Sequence, residues 1–238
     1  MANQHFSFKQ FTIYQNLCAM KVGTDGVILG AWANTENRKR ILDIGTGTGL
    51  IALMLAQRSI AQIEAIDIDR DAVLQALENI KNSPWYERIN VFKTALQDFG
   101  LNEDIKYDLI VSNPPYFNNS LKTPNANRTI ARHTASLTHI DLLEHSKRLL
   151  SDNGIICLIL PVNEGLQIID FGLNNGLFCN KMVYVHPKPN TKPIRLLIEL
   201  SKIKKDTIIV TLEIETNTRH EYNADFVKLV KDFYLKLT

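Results

Sequence analysis

The chain has 238 residues, 45% of them hydrophobic and 22% charged, with a formal net charge of +2. That is ordinary for a soluble globular protein with a sizeable core, arranged as one large α/β domain or two small ones. Three scattered cysteines, Cys18, Cys157 and Cys179, form no CxxC pair and argue against a disulfide framework or a zinc site, so no metal is expected. The opening MANQHFSFKQ has no apolar core of the kind a secretory signal needs, and the run near IICLILP is too short to cross a bilayer. The expectation is a cytoplasmic protein with no membrane association.

From Arg40 the elements alternate. RILDI reads as a strand, GLIALMLAQR as a helix after a Gly-rich turn, AQIEAIDI as a strand and DAVLQALENIKN as a helix. INVFK and YDLIVS are strands, and IDLLEHSKRLL is a helix that Asn153-Gly154 should stop. GIICLILP is a strand, EGLQIIDFGLNN a helix and FCNKMVYVHP a strand. IRLLIELS and TIIVTLEI are adjacent late strands that suggest an antiparallel edge, and NADFVKLVKDFYLKL is an amphipathic helix whose Phe226, Leu229, Val230 and Phe233 face the core. Such alternation predicts βαβ units and a mostly parallel sheet. With no linker visible, residues 1–238 read as one domain: an extension over 1–39 and a core over 40–238.

Asp43-Ile44-Gly45-Thr46-Gly47-Thr48-Gly49 lies between the first core strand and its helix. The spacing is GxGxG, not the GxGxxG that lets backbone approach a pyrophosphate at a helix N-terminus. A carboxylate just before the turn would repel phosphate and suits a ligand bearing an ammonium or sulfonium, which points to S-adenosylmethionine. Asp67, at the next strand end about 20 residues beyond Gly45, can accept ribose hydroxyls. Asp98, past the third strand, can accept from the adenine amino group. The three acids would line the crevice at the strand C-termini.

Asn113-Pro114-Pro115-Tyr116 follows YDLIVS at the same edge. The exocyclic amine of adenine is a poor nucleophile because its lone pair is delocalised into the ring. The Asn113 side-chain oxygen and the Pro114 carbonyl can each accept one of its N–H groups and free that lone pair, the prolines holding the carbonyl rigid. Tyr116 offers a face for stacking on the base.

DIGTGTG with NPPY resembles the amino-group methyltransferases that use S-adenosylmethionine. FSFKQF…CAMKVGTDGVILGAW, NIKNSPWYERINV and the closing DFYL narrow the resemblance, over nearly the whole chain, to the bacterial tRNA1(Val) adenine-37 N6-methyltransferase family. The resemblance implies a Rossmann-like class I fold with a seven-stranded, mostly parallel sheet, the last strand antiparallel and helices on both faces. It implies N6 methylation of the anticodon-loop adenine of that tRNA. By motif, Thr24, Asp25, Asp43, Gly45, Gly47, Gly49 and Asp67 would hold the cofactor, with Asn113, Pro114 and Tyr116 at the base. Lys21 to Gly26 would cover the methionine end. The chain departs from the family at Ala95, where an acid is usual; Asp98, one turn on, stands nearby for the cofactor adenine.

The adenine must leave its stack to react. FNNSLKTPNANRTIARHTAS, with Lys122, Arg128, Arg132 and His133, reads as a flap over the substrate. Acids outnumber bases between Ile63 and Ile110, whereas from Lys181 to Lys205 seven bases stand against Glu199 alone, a candidate face for a polyanion. Lys188, Lys192 and Arg195 are its candidate RNA contacts. A monomer is expected. Three alternatives stay open: methylation of another amino or amide nitrogen (an rRNA or DNA base, or a protein glutamine), a cofactor-binding RNA module without catalysis, and a nicotinamide dehydrogenase.

Overall fold

A computed structural model of the protein describes residues 4–18, 20–101, 104–115, 138–218 and 221–237. The N-terminal segment forms a small hairpin, β1 (His5–Ser7) with β2 (Thr12–Tyr14), followed by helix α1 (Thr24–Trp32). The core then runs β3 (Arg40–Ile44), α2 (Leu50–Arg58), β4 (Gln62–Asp67), α3 (Arg70–Lys81), β5 (Ile89–Lys93) and β6 (Tyr107–Ser112). It continues as α4 (His139–Leu149), β7 (Leu150–Leu160), α5 (Val162–Asn174), β8 (Phe178–His186), β9 (Arg195–Ser201), β10 (Ile208–Glu213) and α6 (Ala224–Val230).

The large sheet has the order β10-β8-β9-β7-β6-β3-β4-β5. β3 and β6 are nearly continuous apolar runs because apolar side chains pack on both faces of the sheet. One face carries α1, α2, the N-terminal segment and α6 over a cluster that includes Ile28, Leu53, Met54 and Phe226. The other packs Leu142, Leu143 and Ile168 of α4 and α5 against Leu42, Ile110 and Ile156. Between β3 and β6 the strand order reverses, so the connections leaving their carboxyl ends diverge and open a crevice. The buried Ser112 hydroxyl donates to Ile44 O (2.8 Å) and clamps those two ends together.

The structure departs from the sequence expectations in three places. The sheet has eight described strands, and the antiparallel strand is internal: β9 lies between β7 and β8, antiparallel to both. With both of its edges used, the next strand cannot pair with it, and β10 adds outside β8, parallel to it. Asn153-Gly154 does not stop α4. The helix gives way to extended backbone at Leu150, and Ser151–Gly154 bulge within β7 between the pairs Tyr107↔Leu150 and Leu109↔Ile155. Gly154 is needed there because a Cβ would lie 2.8 Å from Tyr107 O. The last helix ends at Val230, where Lys9 captures carbonyls that its continuation would use: its N–H donates to Phe233 O (2.8 Å) and its Nζ to Lys231 O (2.8 Å), with a second Nζ bond to Leu237 O (2.6 Å). Phe226, Val230 and Phe233 still reach the core, with Leu229 packed against it.

α1 has no polar stripe, because Gly26 through Ala31 are all buried among α2, β7 and α6. Gly26 and Gly30, one turn apart, let it lie directly on α2. A Cβ on Gly30 would meet Met54 Sδ at 2.8 Å and Met54 Cβ at 3.0 Å; one on Gly26 would meet Leu50 Cδ2 at 3.1 Å. No described helix is long and apolar enough to cross a membrane.

The α1–α2 contact is testable by overpacking. Gly30→Val is expected to cost about 1–3 kcal/mol, seen as a lower urea midpoint at unchanged m-value.

Candidate active site

The crevice begins with the turn from β3 to α2. Gly45, Gly47 and Gly49 have φ of 70°, 57° and 81°, in the left-handed region that side chains other than glycine's rarely adopt. Neighbouring strand ends hold the turn. The N–H groups of Gly45 and Thr46 both donate to Ile66 O (2.9 and 3.0 Å), and Gly47 N–H donates to Asp67 Oδ2 (2.9 Å). Asp67 Oδ1 accepts from Asp69 N–H (2.9 Å). Gly49 caps α2 and packs closely on α3, where a Cβ would meet Ala76 Cβ at 3.4 Å. At Gly45 and Gly47, by contrast, a Cβ would meet no heavy atom within 4 Å, so the turn's outer surface is open.

Asp43 is completely buried at the end of β3. Its Oδ2 accepts from Thr46 Oγ1 (2.6 Å) and Ala52 N–H (3.2 Å), which fixes the turn from beneath, while buried Oδ1 has no hydrogen-bond partner. Burial pushes its carboxyl from the ordinary 3.8 up to about 7, against the two hydrogen bonds and helped by the charge of Asp67.

A residue that the sequence reading missed ties this turn to the N-terminal segment. Asn79, 1% exposed on α3, donates to Thr48 O (2.9 Å) and Tyr14 O (2.8 Å) and accepts from Tyr14 N–H (2.8 Å). Gln75, one turn earlier and equally buried, accepts from Leu17 N–H (3.0 Å). Buried Gln15 accepts from Val22 N–H (2.8 Å), and Lys21 Nζ donates to Gln15 O and Cys18 O. Cys18 is close enough to Asp67 and Asp69 to feel their charge; burial first and these carboxylates second push its thiol up to about 11. Residues 14–18 and 20–22 are thus docked over α3 and the Asp67 end of the crevice. The signal was present in the sequence: Gln75 and Asn79 fall on the same α3 stripe as Ala72, Ala76 and Ile80.

Asn113 leaves the carboxyl end of β6, directly across the clamped strand pair from the glycine turn. It is half-buried, Pro114 is buried and Pro115 is exposed. The first turn of α1 reaches it, for a Cβ on Gly26 would lie 3.9 Å from Asn113 Nδ2. Thr24 opens α1 and is exposed; Asp25, in its first turn, accepts from Arg195 Nε (2.8 Å). Asp98 is exposed in the turn after β5, beyond half-buried Ala95. Tyr116, Lys122, Arg128, Arg132 and His133 lie outside the described residues.

The basic run from Lys181 to Lys205 is divided by the topology. β8 ends and β9 begins at the carboxyl edge, so Lys188, Lys192 and Arg195 stand on the crevice side of the sheet, while Lys202, Lys204 and Lys205 follow β9 to the opposite edge. Lys188 pairs with Glu215 (3.4 Å), Lys192 is exposed and Lys202 pairs with Asp152 (3.3 Å).

Fold and site together define an α/β Rossmann-like class I methyltransferase. The sequence profile of the methyltransferase small domain family matches residues 22–167. Over its full length the chain is 54% identical to the tRNA1(Val) (adenine(37)-N6)-methyltransferase of Parabacteroides distasonis and 47% identical to that of Bacteroides fragilis, in each case covering all of both proteins. A solved structure described as a predicted O-methyltransferase from Agrobacterium tumefaciens shares the fold, with a TM-score of 0.68 at 17% identity over 88% of this chain and 96% of that one. The chain belongs to the methyltransferase small domain family and, within it, to the tRNA1(Val) (adenine(37)-N6)-methyltransferases.

Because its pKa is raised in the folded state, Asp43 keeps a proton that the unfolded chain has released. Between about pH 4 and pH 7 it therefore lowers stability as pH rises. Asp43→Asn removes this slope. In urea titrations without ligand, the variant's stability relative to the parent should rise across that range by on the order of 4 kcal/mol.

Proposed function

We infer that this chain methylates the exocyclic N6 of adenine 37 in the anticodon loop of tRNA1(Val), with S-adenosylmethionine as methyl donor. The observation that carries the reading is the position of Asn113 and Pro114. They leave the strand end clamped to β3, beside the glycine turn, where one bound amine can meet both the cofactor crevice and two fixed acceptors. Full-length identity to relatives of that name supports the choice of substrate.

The residues present fit the cofactor. The turn's outer surface is open at Gly45 and Gly47, and the acids Asp43 and Asp67 beneath and beside it favour an ammonium and ribose hydroxyls over a pyrophosphate. Asp67 already accepts one N–H on each oxygen and keeps lone pairs for hydroxyl donors. Thr24 and Asp25 are assigned to the methionine end and Asp98 to the adenine end. The bound cofactor supplies a methyl group activated on a sulfonium.

The chain's own task is to hold and activate the amine. One N–H is accepted by the Asn113 side-chain oxygen and the other by the Pro114 carbonyl. Both acceptors are placed before the base arrives, so no reorganisation is spent in reaching the tetrahedral nitrogen. Two accepted protons draw the lone pair out of conjugation, and alignment does much of the rest. Tyr116 is assigned to stacking on the flipped base. The 187–194 loop offers Lys192 to the phosphates, with Lys188 beside it in its ion pair with Glu215, in a defined turn: Thr191 Oγ1 donates to Lys188 O (2.6 Å), Thr191 O meets His186 Nδ1 (2.7 Å), and Asn190 takes φ 58°.

The test is labelled S-adenosylmethionine with total tRNA from cells lacking the activity, read by nucleoside mass spectrometry. N6-methyladenosine should appear in tRNA. Asn113→Ala should lower kcat at least about 100-fold while S-adenosylhomocysteine binding stays within a few-fold. Cofactor binding without methyl transfer to tRNA would overturn the substrate assignment and leave the fold class intact.

A further inference from the structure

Arg195 carries one of the bases that the sequence assigns to RNA, yet its guanidinium is already engaged. It is the first residue of β9, beside Val185 and next to the Leu160↔Leu196 pair, so it stands at the crevice edge near the end of β7. Its Nε donates to Asp25 Oδ2 at 2.8 Å, and its Nη1 donates to Ile194 O at 2.8 Å. Both side chains are mostly covered, 24% and 21% exposed. The pair joins residues 170 positions apart in sequence.

Its place on α1 gives the pair a role. The helix starts at Gly23, which has no side chain to cap it. Gly26 and Gly30 seat one side of the helix on α2. The Arg195–Asp25 pair adds a second tie on the crevice side, joining the first turn to a strand held between β7 and β8. The same turn contains Thr24 and Gly26, and Gly26 borders Asn113. A planar guanidinium bonded both to a carboxylate and to the carbonyl of the preceding residue is a geometric brace. Engaging a phosphate instead would mean breaking a covered ion pair.

We propose that Arg195 is a positioning residue: it holds Asp25, and with it the first turn of α1, against the cofactor crevice, and does not serve as a phosphate contact. The inference rests on the reading of this crevice as the S-adenosylmethionine site.

The experiment is a double-mutant cycle on Asp25→Asn and Arg195→Gln, with S-adenosylhomocysteine affinity measured by calorimetry and tRNA affinity measured against salt. Arg195→Gln should bind S-adenosylhomocysteine about tenfold more weakly, Asp25→Asn at least as weakly because it also loses its own contact, and the double variant no more weakly than Asp25→Asn, since Arg195 acts only through Asp25. The KM for S-adenosylmethionine should rise while that for tRNA stays within twofold, and the slope of log K for tRNA against log salt should be that of the parent. A phosphate contact predicts the reverse: unchanged S-adenosylhomocysteine affinity and a slope smaller by about one. That result, or additive losses in the cycle, would overturn the proposal. If Arg195→Gln does not fold, Arg195→Lys carries the comparison: it keeps the charge for a phosphate but loses the two-point guanidinium brace, so it too should lose S-adenosylhomocysteine affinity and keep the slope. The calorimetric arm needs no RNA. A parent protein that binds S-adenosylhomocysteine but leaves tRNA unmodified would count against the substrate, and the variants alone against Arg195.

Discussion

Everything at the crevice depends on a turn that exists only because three left-handed residues are held by the ends of other strands. A GxGxG segment alone is a flexible loop with a large conformational entropy to lose. Here that entropy is offset by hydrogen bonds from the turn to Ile66 O and Asp67, by Asp43 below it and by Asn79 beside it. The bonds run between strands β3 and β4 and helix α3, so the turn is as rigid as the sheet. The Ser112–Ile44 bond carries that rigidity over to Asn113. The glycine turn and Asn113 are therefore parts of one braced edge.

The layout was legible wherever local pattern and burial agree. β3, β4, β6 and β7 are apolar runs with both sheet faces covered, and the alternation with helices already implies parallel order. The glycine turn was legible because its residue types admit few other geometries, and Asn113 because a strand end in a parallel sheet faces the crevice. Other features depend on contacts distant in sequence. Nothing local in IRLLIELS states that it inserts between β7 and β8, or that TIIVTLEI must then go outside. α1 hides its helical nature by being buried all round, which erases the stripe that marks a surface helix. The last helix reads longer than it is, and it ends where Lys9, more than 220 residues away, takes carbonyls.

Within the crevice, motif residues are easier to read from the sequence than the residues that hold the frame. Asp43 was assigned by its charge to a cationic ligand. The structure puts one of its oxygens to work inside the turn and leaves the other buried and unpartnered. Asn79 and Gln75 are amides in a stripe that otherwise reads as ordinary helix core, and only the docked backbone of Tyr14 and Leu17 explains them. Charge counting along the chain found the basic stretch, but antiparallel β8 and β9 send half of it to the far edge.

The union of the two chain ends has a consequence for how the protein is made. Phe8 bridges to Tyr234, and Lys9 holds carbonyls 222 and 228 residues further on. During synthesis the N-terminal hairpin emerges first but has no partner for one of its sides until residues around 230–237 appear. The N-terminal hairpin is thus among the earliest segments to be made and among the last to find its final seat. Contacts of such sequence separation form late. A ribosome-bound fragment can build the parallel sheet before that hairpin is seated.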